Sequence, residues 1–297
     1  MNRTGTTSRK FDLLLGAHFS IAKGLHDAVY QAGSYGCPAL QMFTQNATTW
    51  KERTISQAEQ ALFEKAKAET NIHIIASHTS YLINLASPES KKRNMSYRAL
   101  KQELRRSSYL NIPYCVLHPG AHMDSGTHVG IMEIARSINR LFSETPEVST
   151  RLLLETTAGQ GSNLGHTFEE LAKIIQLVDQ KERLGICLDT CHIFAAGYDI
   201  RTPKAYQKTL DHFNAVLGLD RLCVIHVNDS KKGLGSRIDR HTHIGKGAIG
   251  LEAFKLILND ERLFHIPKLL ETKKMEGNID WHQKNLKQLR ALVKRRL

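Results

Sequence analysis

Eight short apolar runs recur along this chain, each without polar alternation and each followed by a stretch of helical composition. They occupy residues 13–18, 39–43, 74–78, 114–118, 152–155, 186–189, 224–226 and 268–271. Continuous apolar runs suit strands buried on both faces, as in a parallel sheet with helices outside it. Eight such repeats point to an α/β fold, a single (β/α)8 TIM barrel over residues 11–297, whose functional face is the mouth where the strand C-termini converge. Seven of the eight runs end on a residue that can bind a metal: His18, His78, His118, Glu155, Asp189, His226 and Glu271. Only the second, ending on Phe43, does not. A barrel would bring these side chains to one opening.

At 297 residues the chain is long for an average domain but ordinary for one barrel with long βα loops. No Pro/Gly/Ser linker divides it, and its 41 % hydrophobic and 24 % charged residues are those of a globular protein with a full core. No apolar run approaches the roughly 18 residues needed to cross a bilayer. Met1 to Lys10 is polar and weakly basic, without the apolar stretch of a secretion signal, and reads as a short disordered lead-in. Five cysteines, three of them inside apolar runs, read as buried small hydrophobes in a reducing cytoplasm. Cys187 and Cys191 flank Asp189, but packing is the better reading than thiolate ligation.

The formal net charge of +12 points toward a polyanionic partner. Part of that charge is spread over expected outer helices, as at Lys91-Lys92-Arg93, Arg105-Arg106 and Lys294-Arg295-Arg296. Lys231, Lys232, Arg237, Arg240 and Lys246 lie nearer the strand ends, where charge would matter to a substrate. Helical segments are expected at 23–52 (broken by Gly and Pro), 54–71, 88–110, 127–143, 167–181, 202–217, 250–262 and 280–295, with Pro88 and Pro203 near helix starts. Loops rich in Ser, Thr, Asn, Gly and His follow strands 3, 5, 6 and 7, on the same side as the strand-end ligands.

Two short motifs add ligands. Asp189-Thr190-Cys191-His192 sets a His three residues past a strand-end Asp, and Asp239-Arg240-His241 sets Asp and His two apart, so that in an extended loop both face one side and can clasp one ion. The candidate set is then His78, His118, Glu155, Asp189, His192, His226, Asp239, His241 and Glu271. That exceeds what a single ion can use. Mixed imidazole and carboxylate ligation without thiolate suits zinc or manganese, and a bridging carboxylate makes a cluster. Four carboxylates against three divalent ions leave a charge of about +2, which favours a phosphodiester and the extra negative charge of its transition state. A purely structural site would be closed and nearer neutrality. His73 and His265 fall at strand beginnings and read as structural, whereas His18 reads as a supporting residue. His122, His128, His166 and His243 lie in loops on the functional side without a spacing that makes them ligands.

These residues resemble endonuclease IV, the zinc-dependent apurinic/apyrimidinic (AP) endonuclease family of base-excision repair. The resemblance is carried by His78-Thr79-Ser80-Tyr81-Leu82-Ile83-Asn84-Leu85-Ala86, His118-Pro119-Gly120-Ala121-His122, Glu155-Thr156-Thr157-Ala158-Gly159-Gln160-Gly161, Cys187-Leu188-Asp189-Thr190-Cys191-His192, His226-Val227-Asn228-Asp229-Ser230-Lys231 and Asp239-Arg240-His241-Thr242-His243-Ile244-Gly245, in family order. It implies three zinc ions per chain, with manganese an option at one position. His78, His118 and a bridging Glu155 would hold the first; Glu155, Asp189, His226 and Glu271 the second; His192, Asp239 and His241 the third. Glu271 and Glu155 would be the catalytic carboxylates. The implied partner is double-stranded DNA with abasic sites or blocked 3′ ends, met by a cytoplasmic, membrane-free monomer. The implied reaction cuts 5′ to the abasic site, leaving a 3′-hydroxyl and a 5′-deoxyribose phosphate, and also cleans 3′ ends. Extruding an abasic sugar requires no base unpairing, which favours damaged DNA.

Two departures from the family pattern stand out. Where members commonly carry an Arg-Gln or similar bulky pair after strand 2, this chain has Asn46-Ala47-Thr48-Thr49-Trp50, and Thr48 and Thr49 are too short to fill a base-pair gap. DNA contact is then expected from Tyr81, Trp50 and Lys231 beside Thr48 and Thr49. Lys273 stands where a Pro is usual. A metal-dependent sugar isomerase or epimerase of the xylose-isomerase-like barrels uses similar strand-end ligands, but with one or two ions, leaving His192, Asp239 and His241 unexplained. A non-catalytic nucleic-acid binder with structural metal fits poorly with an open, positively charged ligand set.

Overall fold

Residues 13–294 are described by a computed structural model, and their eight main strands close into a parallel barrel. The strands are β1 (Leu15–His18), β2 (Ala39–Met42), β3 (Ile74–His78), β4 (Tyr114–Leu117), β5 (Arg151–Glu155), β6 (Leu184–Asp189), β7 (Leu222–His226) and, after two short strands β8 (Asp229–Ser230) and β9 (His241–Thr242), β10 (Lys268–Leu270). Around the barrel β10 lies between β7 and β1, and every other neighbour is consecutive. A hairpin of β11 (Met275–Glu276) and β12 (Ile279–Asp280) follows. Each strand is buried on both faces, which is why no strand alternates in sequence.

Two apolar layers result. Inside the barrel, Ala39, Ala76, Val116, Leu153, Cys187, Val224 and Leu269 pack together. Small residues recur because the strands approach closely: a Cβ on Gly16 would sit 1.8 Å from the Ala39 carbonyl oxygen. Outside, the helices bury Leu, Ile and Phe side chains against the strands. These helices are α1 (Leu25–Ser34), α2 (Gln57–Glu69), α3 (Ser90–Tyr109), α4 (Thr127–Ser143), α5 (Phe168–Leu177), α6 (Thr190–Ala196), α7 (Pro203–Leu217), α8 (Leu251–Asn259) and α9 (Trp281–Leu292). Their starts have local causes. Ser56 and Glu59 form a capping box on α2, and Thr202 caps α7 with Pro203 in its first turn.

The helix expected over 23–52 is a correction: α1 ends at Ser34, and β2 occupies the middle of that range, with Gly36 and Pro38 between them. A further difference is α6, whose seven residues follow β6 directly and are too few to show a helical period. The lead-in expected at Met1 to Lys10 lies outside the described residues, as do Arg295 and Arg296. All five cysteines are buried and free. Among the described residues, no helix is long and apolar enough to cross a membrane.

Candidate metal centre

Every strand from β3 to β7 delivers a nitrogen or carboxylate donor to the barrel mouth, at its last residue or the next, and the loop after β10 delivers Glu271. Glu155, fully buried at the end of β5, stands at the centre. Its Oε2 lies 3.1 Å from His78 Nε2 and 3.0 Å from His118 Nε2, while Oε1 lies 2.9 Å from His226 Nδ1. Each carboxylate oxygen thus faces a different set of imidazoles. Glu271 Oε2 approaches His226 Nδ1 at 3.1 Å, and Asp189 Oδ2 lies 3.7 Å from the same nitrogen. On the far side, Asp239 reaches His192 Nε2 at 3.1 Å and His241 Nε2 at 3.3 Å. Among the described residues, three groups built from nitrogen and oxygen donors alone are close enough to share an ion: His78, His118 and Glu155; Glu155, Asp189, His226 and Glu271; and His192, Asp239 and His241. They are the three sets that the family resemblance implied. Asp189 Oδ2 also lies 3.6 Å from His241, between the second group and the third.

Hydrogen bonds fix which imidazole nitrogen is left as a donor to a cation. A backbone carbonyl can only accept, so His78 donates from Nδ1 to Thr79 O at 2.8 Å and His192 from Nδ1 to Thr156 O at 2.8 Å. Both rings therefore turn Nε2 toward the site. His226 is turned the other way, with Nε2 2.8 Å from Gln41 Oε1 and Nδ1 toward the carboxylates. Holding the remote ring nitrogen in this way is how proteins orient metal-binding histidines. Asp189 is placed by α6, whose N-terminus it caps through His192 N, so the short helix fixes both the Asp and the His that follows three residues on.

The carboxylates and imidazoles of the site shift one another's titration strongly. Burial works to raise the Glu155 carboxyl, yet His118, His226 and His192 around it hold it well below the usual carboxylate range. Burial opposes ionisation of Glu271 too, but His226 outweighs it, and Asp239 falls to about 2 for the same reason, with His192 and His241 as its partners. Burial depresses His226 and His192, but Cys187 and Glu271 for the one, and Asp189 and Asp239 for the other, raise both well above an ordinary imidazole. Cys187 and Cys191 also come close to these donors, but burial pushes both thiols up to about 12. Imidazoles and carboxylates outnumber these two thiols, so the donor set is mainly N/O in character and fits zinc or manganese.

The ligands open into a cleft of about 780 Å³. A family described as xylose isomerase-like TIM barrel matches residues 29–292. The probable endonuclease 4 of Geotalea daltonii is 49 % identical over 282 residues, covering 95 % of this chain and 99 % of that protein. The protein of the same name from Geobacter sulfurreducens is 46 % identical over 282 residues, covering 95 % of each. The solved structure of endonuclease IV from Thermus thermophilus superposes with a TM-score of 0.83 at 34 % identity, covering 94 % of this chain and 98 % of that one. This chain belongs to the endonuclease IV family. The family is that of the AP endonucleases, as the sequence resemblance implied. A D-tagatose 3-epimerase-like protein, at 16 % identity, TM-score 0.70 and coverage of 93 % and 96 %, shares the fold.

In this endonuclease IV family member the residues expected at the DNA lie in different places. Tyr81 stands 69 % exposed at the cleft, its ring 5.5 Å from that of Phe43. The loop after β2 turns on Asn46, whose Oδ1 accepts from Thr48 N and Oγ1, so that Asn46 and Ala47 line the cleft and Thr48 and Thr49 do not. Trp50 faces a separate hollow against α3. Lys231 is exposed in the β8–β9 turn and also lies outside the cleft lining. The cations in the cleft wall are instead Arg53 and Lys274, which reach it from the loop before α2 and from the last hairpin.

Sequence reasoning missed Gln41 and Asn228. Gln41 Nε2 donates to Glu271 Oε1 at 2.6 Å and to His18 Nδ1 at 3.2 Å, while its Oε1 accepts from His226. Asn228 donates to Asp189 Oδ2 at 2.6 Å and accepts from Glu271 N at 2.9 Å. Both are amides, which a search for metal ligands passes over. Of the remaining loop histidines, His243 stacks on Trp281 at 3.9 Å, His166 pairs with Glu170 at 3.1 Å, and His122 accepts from Gly126 N.

Proposed function

We propose that this protein hydrolyses the phosphodiester 5′ to an abasic site in double-stranded DNA, leaving a 3′-hydroxyl and a 5′-deoxyribose phosphate, and that the same cleft trims blocked 3′ ends. The observation that carries the reading is three contiguous donor groups at the floor of one open cleft, the first two sharing Glu155 and the third reached from the second through Asp189. We assign His78, His118 and Glu155 to one zinc ion, Glu155, Asp189, His226 and Glu271 to a second, and His192, Asp239 and His241 to a third, with manganese an option at one position. Divalent ions held there would supply water activated at neutral pH, a clamp on the phosphate and charge for the leaving oxygen.

The chain's own residues do the rest. Glu155 holds two donor sets in register, because each of its oxygens faces a different one. Glu271, kept ionised by His226 and aligned by Gln41 and Asn228, orients the attacking nucleophile. Lys274 gives the cleft wall a positive charge for the DNA backbone, with Arg53 beside it paired to Glu59, and Tyr81 presents an aromatic face at its rim.

Glu271→Gln tests the reading. Cleavage of an AP-site duplex should fall by orders of magnitude, while binding persists through phosphate contacts. Near wild-type turnover would remove Glu271 from the chemistry, and metal analysis of the wild-type protein giving one ion per chain would sink the three-ion assignment.

A further inference from the structure

Beside the metal cleft, helix α3 and the loop after β2 enclose a hollow that the proposed reaction does not use. On α3, Met95, Arg98, Gln102 and Arg106 fall at i, i+3, i+7 and i+11, one stripe of the helix, and all four line it. Gln45, Trp50 and Glu52 form the opposite wall, and Ala99 adds a small apolar patch on α3. The volume, about 140 Å³, is the space of four or five waters and suits one planar heterocycle.

Each lining residue has a distinct chemical state. Arg106 is buried and committed, donating from Nε to Thr44 Oγ1 at 2.9 Å and from Nη2 to Glu103 Oε2 at 2.6 Å, which makes a rigid, neutralised floor. Trp50 is 38 % exposed, unusual for so large an apolar ring. Arg98 is exposed at the rim and forms no ion pair among the described residues. Gln45 is only 6 % exposed, yet its Oε1 has no hydrogen-bond partner. Buried amides are almost always satisfied, so a bare one beside a hollow marks a place where a partner arrives. Gln45 also lines the metal cleft, so hollow and cleft share a wall.

We propose that this hollow is a nucleobase subsite. It takes one unstacked base of the DNA held in the neighbouring cleft, with the ring against Trp50, the polar edge at Gln45 and Gln102, and the attached phosphate at Arg98. A glutamine amide offers a donor and an acceptor that exchange on rotation, so the subsite reads the presence of a base more than its identity. The subsite rests on the reading that the cleft takes DNA.

The test compares two single strands of equal length, one of ordinary nucleotides and one of three-carbon phosphate spacers that carry neither base nor abasic sugar ring, by fluorescence anisotropy at fixed salt. Phosphate contacts are common to both strands. The wild-type protein should bind the base-bearing strand about tenfold tighter, the effect of one base stacked on an aromatic ring. Trp50→Ala should remove the preference, and Trp50→Phe should keep most of it because a ring remains. Equal binding of both strands by the wild-type protein overturns the subsite. So does a preference that survives Trp50→Ala, which would place the stacking elsewhere, at Tyr81 for instance. Cleavage of an AP-site duplex is scored separately: cleavage without base preference removes the subsite and leaves the function, whereas preference without cleavage removes the function.

Discussion

His226 Nε2 donates to Gln41 Oε1 at 2.8 Å, and this bond decides which side of the imidazole is left for a cation. The Gln41 amide cannot turn over, because its Nε2 is held by Glu271 Oε1. One neutral side chain on β2 therefore sets the tautomer of a buried histidine at the end of β7 and the orientation of a carboxylate just past β10.

Gln41→Leu keeps the volume and removes both bonds. It should lower metal affinity by roughly 10–100-fold, the usual cost of losing the group that orients a ligand. Leaving His226 and Glu271 with unpaired polar atoms should also cost about 1–3 kcal/mol of stability. Competition with a chelator measures the first effect and chemical denaturation the second. Unchanged metal affinity would mean that the His226 tautomer is set by something other than Gln41.

His241 and Asp239 form the more open end of the donor array, with side chains 20 % and 40 % exposed. His241→Ala should reduce bound zinc from about three ions per chain to about two, since a set of three protein ligands loses one. Elemental analysis after gel filtration reads the count directly. A count that stays at its wild-type value would remove His241 from the ligand set.

That the strand-end donor residues meet at one mouth was legible in the sequence for a physical reason. A strand buried on both faces is a continuous apolar run, so the first polar residue after it is conspicuous, and the barrel puts all such residues at one mouth. That is why His78, His118, Glu155, Asp189, His226 and Glu271 could be picked out in advance. Gln41 was not legible, because it lies inside an apolar run and its amide binds no metal. Helix α6 was hidden by its length, although the spacing of Asp189 and His192 carried its consequence. Arg53 and Lys274 were missed since charge was sought in the loop after β7, whereas these two lie in the loops after β2 and β10.

Lys268 gives the fold a pH dependence separate from the metal site. It is fully buried at the start of β10, its ammonium donating to the carbonyls of Leu263 and Ile266, and burial lowers its pKa to about 7. The folded value lies below the unfolded one, so the folded state binds fewer protons and stability rises with pH through the interval. The contribution is complete above the unfolded pKa near 10.5 and is lost as pH falls through about 7. Between pH 7 and about 8.5 the wild-type protein should gain roughly 1–2 kcal/mol relative to Lys268→Met. Taking the difference between the two proteins removes the opposing titration of the buried thiols. Parallel stability curves for the two would contradict it.

Tyr81 is the remaining aromatic contact at the cleft, and the fold explains why the contact falls to it. Thr48 and Thr49 lie off the cleft lining, while the Tyr81 ring stands at the rim, supported edge-on by Phe43 at 5.5 Å and tilted over His78 at 6.1 Å. A ring held on one side and bare on the other is suited to stacking against the bases that flank an extruded sugar. Tyr81→Ala should weaken binding to an AP-site duplex by about 1–3 kcal/mol, the range for one base–aromatic stack. Binding to an undamaged duplex should change little, because an intact stack offers the ring no gap to enter. Both must be measured at one salt concentration, since the phosphate contribution shifts steeply with ionic strength. A loss of equal size on both duplexes would make Tyr81 a contact to the backbone and leave recognition of the damage to other residues.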